Sequence, residues 1–191
     1  MLYRIIIVAG LMGMFFVPSR AQEYVKQEQE KRIKLQEIPK VAQDYLDSIW
    51  LKESRRKRFY RETDGKNLSY ETKLVRNRRR FNIEFNDDGK LQDIEELTRF
   101  EEIPDSVRLR TDSVLTNGYS RHTIQRIQRQ FLPNQTDDYQ ELTSENTQNY
   151  ELEVSLNEGS EVHSYEMLFN SQSVLQQKRL IIRRLLDNFL Y

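Results

Sequence analysis

The sequence predicts an α+β protein built from two tandem units, each a helix packed on a four-stranded antiparallel sheet. A repeat of short segments in the same order predicts the duplication. The matched pairs are residues 81–91 with 165–175, 70–74 with 150–154, and 38–41 with 103–107. The predicted organisation is a signal peptide at 1–21, a lead-in at 22–37, and repeat units at 38–102 and 103–191.

The predicted signal peptide has the three parts that export requires. Arg4 supplies the positive charge, an apolar stretch follows from Ile5 to Val17, and Ser19 and Ala21 place small residues at the cleavage positions. This stretch is shorter than the roughly 20 residues that span a bilayer, although an uncleaved anchor remains the alternative. We therefore expect a periplasmic or secreted protein, cleaved after Ala21, with no integral membrane segment after cleavage.

Charge and cysteine content exclude several function classes. Without Arg4 and Arg20, the mature chain carries 28 basic and 30 acidic residues, a formal charge of −2. A near-neutral chain argues against nucleic acid as a partner, because phosphate contacts usually need a basic excess. The chain has no cysteine, which excludes disulfides, thiol catalysis and thiolate metal sites.

Before the first unit, a loose lead-in is expected to become extended ahead of Pro39, and a short first strand around residues 32–36 is the alternative. Proline is favoured at the first position of a helix, where its missing N–H would have no partner. Apolar residues then recur at helical spacing up to about Trp50, which predicts one buried stripe. The residues of this stripe are Val41, Ala42, Tyr45, Leu46 and Ile49.

Four strands joined by hairpins are predicted to follow this helix. They are residues 58–63, 68–75, a strand with Phe81, Ile83 and Phe85 on one face, and residues 90–100. The alternation of apolar and polar residues has the period of two that a strand with one buried face shows. Turn sequences at Asp64-Gly65 and Asp88-Gly89 separate the strands.

The second unit is predicted to repeat this order. Pro104 begins a helix with Val107, Leu109, Val114 and Leu115 on its apolar face, and Asn117-Gly118 ends it with a left-handed cap. Residues 121–131 are expected to form a strand, although their apolar spacing also fits a helix. The polar residues 133–148 are predicted to form a surface loop or short helix, followed by strands around 150–156, 165–169 and 174–182.

The ordered segments resemble a known family. Residues 70–75, 81–91, 150–154 and 165–175, preceded by proline-initiated helices and an export signal, are similar to the PepSY-like exported bacterial proteins. Those proteins share a fold with the β-lactamase-inhibitory protein, and the resemblance would cover residues 38 to about 185. It implies a fold and no catalytic residues. The inhibitory protein uses disulfides, which this chain cannot form.

Searches for catalytic and metal-binding patterns identify no site. His122 and His163 lie far apart in sequence without ligand spacing, and they are interpreted as surface histidines. The Asn86-Asp87-Asp88-Gly89 segment starts like a calcium loop but lacks the later ligands, so a hairpin turn is expected. No Gly-x-Ser-x-Gly motif is present. Adjacent acids such as Glu95-Glu96 are interpreted as facing apart on solvated strand faces. No enzyme activity, cofactor or metal site is predicted.

Two basic runs and one polar sheet face are the candidate binding surfaces. The runs are residues 55–58 and 76–80, and the second is expected at a hairpin tip, where arginines suit bidentate binding of carboxylate or phosphate. A solvated edge that discourages strand aggregation is the alternative. The candidate partner-binding residues are Arg76, Arg78, Arg79, Arg80, Asn82, Glu84, Glu151, Glu153 and Glu166.

The predicted function is that of an exported, non-enzymatic protein of the bacterial envelope. It is expected to bind or modulate another envelope protein through its sheet face or hairpin tips. The alternative is a periplasmic sensor that binds a small ligand or a cation through the carboxylates of that face.

Overall fold

The computed structural model describes residues 23–26, 28–133, 142–143, 145–158 and 160–182, whose strands form one ten-stranded sheet. The strands are β1 Glu23–Lys26, β2 Glu28–Ile33, β3 Ser54–Asp64, β4 Asn67–Arg76, β5 Arg79–Asn86, β6 Leu91–Thr98, β7 His122–Phe131, β8 Asn149–Glu158, β9 Glu161–Asn170 and β10 Leu175–Ile181. Their order across the sheet is β1-β10-β9-β8-β7-β6-β5-β4-β3-β2. The predicted signal peptide lies outside the described residues. None of the described helices is long and apolar enough to cross a membrane.

The predicted architecture of two helix-on-four-strand units is wrong. Strand β6, expected to end the first unit, pairs with β7 of the second, from Ile94 opposite Phe131 to Thr98 opposite Ile127. Strands β2 to β10 therefore make nine consecutive antiparallel strands, with β1 added parallel to β10. An exposed sheet edge leaves a row of backbone N–H and C=O groups unpaired, and joining two edges satisfies both rows. The internal repeat itself stays a prediction.

The N-terminal segment is a pair of strands where a loose lead-in is expected. Strand β1 pairs with β10 and strand β2 pairs with β3, at opposite edges of the sheet. One residue separates Lys26 from Glu28, so their Cα atoms lie within about 7 Å of each other. The two edges are therefore drawn together, and the sheet curls strongly. Its inner side consequently encloses space instead of lying flat.

Helix α1, Lys40–Tyr45, follows Pro39 and continues as a π-helical turn, Leu46–Trp50, as the sequence predicts in position and length. Its buried side chains, Ala42, Leu46 and Trp50, belong to one hydrophobic cluster with the β5 residues Phe81, Ile83 and Phe85. Val41, expected in the buried stripe, is instead 59% exposed. The helix therefore packs through one narrow side on the apolar face of the sheet.

Helix α2, Asp105–Gly118, packs on the second half of the same face. Its buried residues are Val107, Thr111 and Leu115, which recur every four residues and so share one side. Leu109, predicted on the apolar face, is 60% exposed, because it lies about 200° around the helix from Val107. Val114, also predicted on that face, is partly exposed. The predicted end at Gly118 is confirmed, but the cap is the extended Tyr119 and not a left-handed glycine.

Two predicted hairpin turns are confirmed, each with a glycine at positive φ. Gly65 and Gly89 have φ of 61° and 81°, a region that suits glycine. A Cβ added to Gly89 would lie 2.6 Å from the Cβ of Pro39, so the β5–β6 turn packs against the start of α1. The β4–β5 turn is made by Asn77 and Arg78 alone, both with positive φ. This places the second basic run at a hairpin tip, as the sequence predicts.

The polar connection between β7 and β8 contributes to the core. Leu142, in the segment predicted as a surface loop or short helix, is buried in the cluster of Phe81 and Phe131. Its carbonyl oxygen accepts a hydrogen bond from Arg79 Nη2 at 3.2 Å. The sequence gives no sign of this packing, because Leu142 stands alone among polar residues.

Candidate functional site

The two faces of the sheet differ in chemistry. Along β5, Phe81, Ile83 and Phe85 point to the helices, so Asn82 and Glu84 point to the opposite side. No helix of the described chain packs on that opposite side. Residues of this polar side from strands as distant as β2 and β10 line one cavity, so it forms the inside of the curl. The candidate site is therefore built from alternate residues of neighbouring strands.

Strand register brings three carboxylates together at the centre of this side. Glu84 lies opposite Asp93, and Asn82 lies opposite Glu95, so the three acids occupy adjacent positions on β5 and β6. One carboxylate oxygen from each lies within 4.8 Å of the others. We call Glu84, Asp93 and Glu95 the central trio.

A second group of carboxylates lies on the neighbouring strands. Glu30, Glu62 and Glu71 also bring their oxygens within 4.8 Å of one another, and we call them the edge trio. Lys73 Nζ lies 2.7 Å from Glu30 and 2.8 Å from Glu71. Burial acts to lower the pKa of Lys73, but Glu71 and Glu30 together outweigh it and raise that pKa. The Lys73 ammonium group therefore already supplies a positive charge to the edge trio.

The two trios line one cavity of about 540 Å³, which we call the polar cavity. Strands from both halves of the sheet contribute to it, as the curl requires. Nine acidic and four basic residues line the cavity, a formal balance of −5. The acids are Glu30, Glu62, Asp64, Glu71, Glu84, Asp87, Asp93, Glu95 and Glu151, and the bases are Lys66, Lys73, Arg126 and Arg179.

The central trio is held by amide donors. Gln128 Nε2 donates to Glu95 Oε2 at 2.6 Å, and Gln130 Nε2 donates to Asp93 Oδ2 at 2.9 Å. Gln128 is only 2% exposed, and its amide oxygen has no hydrogen-bond partner. In the described part of the chain, neither Glu84 nor Glu95 forms an ion pair. The site thus gathers three acids and one amide oxygen that has no hydrogen-bond partner.

Burial and mutual repulsion change the acidity of the central trio. Burial raises the pKa of Glu95 well above its usual range, and the charges of Glu84 and Asp93 raise it further, while Arg126 lowers it. The pKa of Glu84 is raised well above its usual range by burial first and then by Asp93, Glu62 and Glu71. Ionising these groups therefore costs free energy in the folded protein.

We expect Glu95→Gln to stabilise the cation-free protein at neutral pH. As pH falls, a carboxyl with a raised pKa in the folded protein binds its proton there at a higher pH than in the unfolded chain. The free energy of unfolding of the wild type therefore increases as pH falls through the raised pKa towards about 4.5. Above that window the ionised acid is a penalty, which the glutamine amide removes. Thermal melts in chelator from neutral pH to about pH 5 measure the effect.

The control for this experiment is Glu101→Gln, which removes an exposed acid outside the polar cavity. Its stability should follow the wild-type pH profile. A Glu95→Gln profile that is indistinguishable from wild type would contradict the assigned pKa direction.

The structure places most of the predicted sheet-face residues in the polar cavity. Asn82, Glu84 and Glu151 line it. Glu166 is buried on the same side of the sheet, where Arg179 donates to its carboxylate. Glu153 lies apart, in a second hollow that it shares with Arg78, Arg79 and Arg80. These residues lie on the side of the sheet opposite the buried aromatics, and their role in binding a partner stays a prediction.

The arginines predicted to cluster at the hairpin tip divide between the two sides of the sheet. Arg76 donates to the carbonyl oxygen of Ile49 and pairs with Glu53 at 2.6 Å. Arg79 binds Glu96 through two nitrogens. Arg78 and Arg80 remain exposed. Only part of the second basic run is therefore available to a ligand.

Several site residues are absent from the sequence-based candidates. Glu62, Glu71, Asp93 and Glu95 line the polar cavity, and Gln128 supports Glu95 from beside it. Glu95 and Glu96 do face opposite sides of the strand, as expected, but both are 4% exposed, so the expected solvated faces are wrong. Alternation along β6 places Asp93 and Glu95 on one side, whereas their burial depends on the curl.

The other motifs have structural roles. His163 Nε2 lies 3.1 Å from Glu161, and both histidines are half-buried where surface positions are expected. In the predicted hairpin turn, the side-chain oxygen of Asn86 accepts the N–H of Lys90 at 2.8 Å. The hairpin interpretation of this acidic turn is confirmed.

The fold is similar to that of solved Bacteroides proteins. A protein from Bacteroides eggerthii described as periplasmic has 13% identity and a TM-score of 0.51, covering 75% of this chain and 88% of its own. A DUF2874 family protein from Bacteroides ovatus has 12% identity and a TM-score of 0.51, covering 75% and 87%. A BLIP-like protein from Bacteroides fragilis has 12% identity and a TM-score of 0.49, covering 81% and 92%.

Neither a family model nor a curated protein matches the chain. The first two likenesses, at 13% identity or less, show a shared fold and nothing about ligand or activity. The PepSY-like assignment made from the sequence stays a prediction.

Proposed function

We propose that the protein is an exported, non-enzymatic binding protein whose polar cavity takes a hard divalent cation, with Ca²⁺ as the best-fitting probe. The central trio carries the proposal, because its three carboxylates lie within reach of one ion, and within the described residues neither Glu84 nor Glu95 forms an ion pair. Export is supported by the predicted signal at residues 1–21 and by the fold shared with a protein described as periplasmic. The non-enzymatic part rests on the sequence, which lacks a nucleophile motif.

The ligand set suits calcium. Ca²⁺ binds six to eight oxygens at about 2.3–2.6 Å, so two oxygens on one ion lie at most about 5 Å apart. The oxygens of Glu84, Asp93 and Glu95 satisfy that limit at 4.8 Å. The unused amide oxygen of Gln128 adds a neutral ligand beside Glu95. An ion at this point would offset the repulsion that raises the pKa values of Glu84 and Glu95.

The predicted envelope-protein partner has less geometric support. The candidate acids Glu84 and Glu151 line the polar cavity, so only a side chain entering that cavity would reach them. A lysine or arginine of such a partner would occupy the same position as a metal ion. Cation binding is the simpler proposal, because it needs no second protein surface.

Calorimetric titration of the metal-free protein with Ca²⁺, Mg²⁺, Zn²⁺ and spermidine tests the proposal. We expect Ca²⁺ to bind and to raise the free energy of unfolding, by about 2.7 kcal/mol at a hundredfold excess over Kd. The Glu84→Gln/Glu95→Gln variant should lose Ca²⁺ binding and fold at least as stably as wild type. If spermidine bound and no divalent ion did, the ligand would be an organic cation or a partner's basic side chain instead of a metal ion.

The edge trio supplies a matched control. Glu62→Gln/Glu71→Gln removes two acids from the same cavity, but Lys73 already pairs with two members of that group, so Ca²⁺ binding should persist. Equal loss in both double variants would mean that overall cavity charge, and not the central trio, binds the ion. Flat titrations with every divalent ion would refute the proposal.

A further inference from the structure

A β-bulge brings the two basic runs of the sequence together. Between Arg55 and Arg58, strand β3 advances three residues while its partner β4 advances two, from Val75 to Lys73. Arg56 has a φ of 55°, as one extra residue in a strand often requires. The bulge re-aims the first run towards the β4–β5 hairpin, which carries the second run.

Strand register then places arginines in one row. Arg55 lies opposite Val75, and Val75 lies opposite Arg80, so these three side chains share one side of the sheet. Arg78 occupies the tip of the adjacent turn with a φ of 66°. The result is a hollow of about 310 Å³, which among the described residues is lined by Val75 and four arginines, Arg55, Arg56, Arg78 and Arg80. We call these four residues the arginine cluster.

The arginine cluster has no internal counter-charge. In the part of the chain that the structure describes, none of its four guanidinium groups forms a hydrogen bond or an ion pair, and all four are exposed. Arg76 and Arg79 of the same hairpin behave differently, since each pairs with a glutamate. Two of the four arginines also hold positive φ, which is uncommon for residues other than glycine and is found at binding sites.

We propose that the arginine cluster binds a phosphoryl group, as an additional site independent of the polar cavity. A guanidinium is a planar fork that binds two oxygens at once. Four such forks around one hollow match a tetrahedral anion with several oxygens and up to two negative charges better than a carboxylate with two oxygens and one charge. Two sources offer this chemistry, a phospholipid headgroup and a soluble phosphate.

Binding of inorganic phosphate and of vesicles tests the site. The probes are phosphate by calorimetry, a glutamate peptide, and phosphatidylcholine vesicles with and without phosphatidylglycerol by co-sedimentation. We expect Arg55→Ser/Arg80→Ser to weaken phosphate binding by at least about tenfold, as the loss of charge-assisted hydrogen bonds implies. Arg55→Lys/Arg80→Lys keeps the charge but loses the forks, and should also weaken binding.

A control of equal charge separates a built site from general electrostatics. Arg110→Ser/Arg121→Ser removes two exposed arginines elsewhere and should leave binding within about twofold, with thermal melts confirming folding. Vesicle binding that depends on phosphatidylglycerol and on the arginine cluster identifies a headgroup, whereas phosphate binding alone identifies a soluble ligand. Four outcomes would each overturn the proposal. The control could lose as much phosphate binding as the serine variant, or the lysine variant could keep full binding. The protein could also prefer the glutamate peptide, or bind none of the probes.

Discussion

Replacing Glu96 with alanine is expected to lower the free energy of unfolding by about 3–5 kcal/mol. Glu96 is buried and accepts two hydrogen bonds from Arg79 and one from Arg129. The Arg129 side chain is only 12% exposed, so loss of the carboxylate removes an ion pair from a buried cation. Chemical denaturation of Glu96→Ala and wild type measures the loss.

Glu102→Ala is the matched control for this substitution. Arg99 also donates to Glu102 through two nitrogens, but both side chains of that pair are exposed. Exposed pairs contribute little to stability, so this variant should be nearly as stable as wild type. If Glu96→Ala cost no more than Glu102→Ala, the buried network would have no structural importance.

The loss of the Glu96 carboxylate should affect more than one strand, because Glu96 lies where the two hydrophobic clusters meet. It stands on β6, opposite Phe81 of β5 and opposite Arg129 of β7. Arg79 also holds the carbonyl of Leu142, which packs in the first cluster. The network thus ties the β6–β7 junction to the β7–β8 connection.

Phe81→Ala should cost about 3–5 kcal/mol of unfolding free energy, the usual cost of removing a large buried aromatic side chain. Phe81 is fully enclosed, and its ring centroid lies 5.1 Å from that of Trp50. Trp50 is the only tryptophan, so its fluorescence reports directly on this contact. We expect denaturation at lower denaturant concentration and a red-shifted Trp50 emission in the native state.

Leu109→Ala supplies the comparison, because it also removes an apolar side chain but from an exposed position on α2. Its free energy of unfolding should stay within about 0.5 kcal/mol of wild type, with unchanged emission. A loss below about 1.5 kcal/mol for Phe81→Ala, with unaltered Trp50 fluorescence, would show that the cluster around Trp50 is loosely packed.

Local structure follows closely from the sequence. Pro39 and Pro104 mark the starts of both helices, and the alternation around Phe81, Ile83 and Phe85 identifies a strand with one buried face. Glycines at positions 65 and 89 mark two of the hairpin turns. These features depend on backbone preferences and on side-chain periodicity within a few residues, which the sequence records directly.

The candidate sites depend on contacts that periodicity does not encode. Alternation assigns Glu84 to the polar side of β5, but only the β5–β6 register brings it to Asp93 and Glu95. The two basic runs are visible in sequence, yet the bulge after Arg55 decides which arginines converge and the helix-side pairs remove Arg76 and Arg79 from the cluster.

The sequence by itself determined the helix starts, the hairpin turns and the apolar and polar faces of the strands, because each depends on neighbouring residues. Only the tertiary structure decided that β6 joins β7 and that strands β1 and β2 draw the two sheet edges together. Edge pairing forms hydrogen bonds between backbone groups that nearly every residue carries, so no side-chain pattern predicts it. That closure turns a polar face into a cavity and buries its carboxylates.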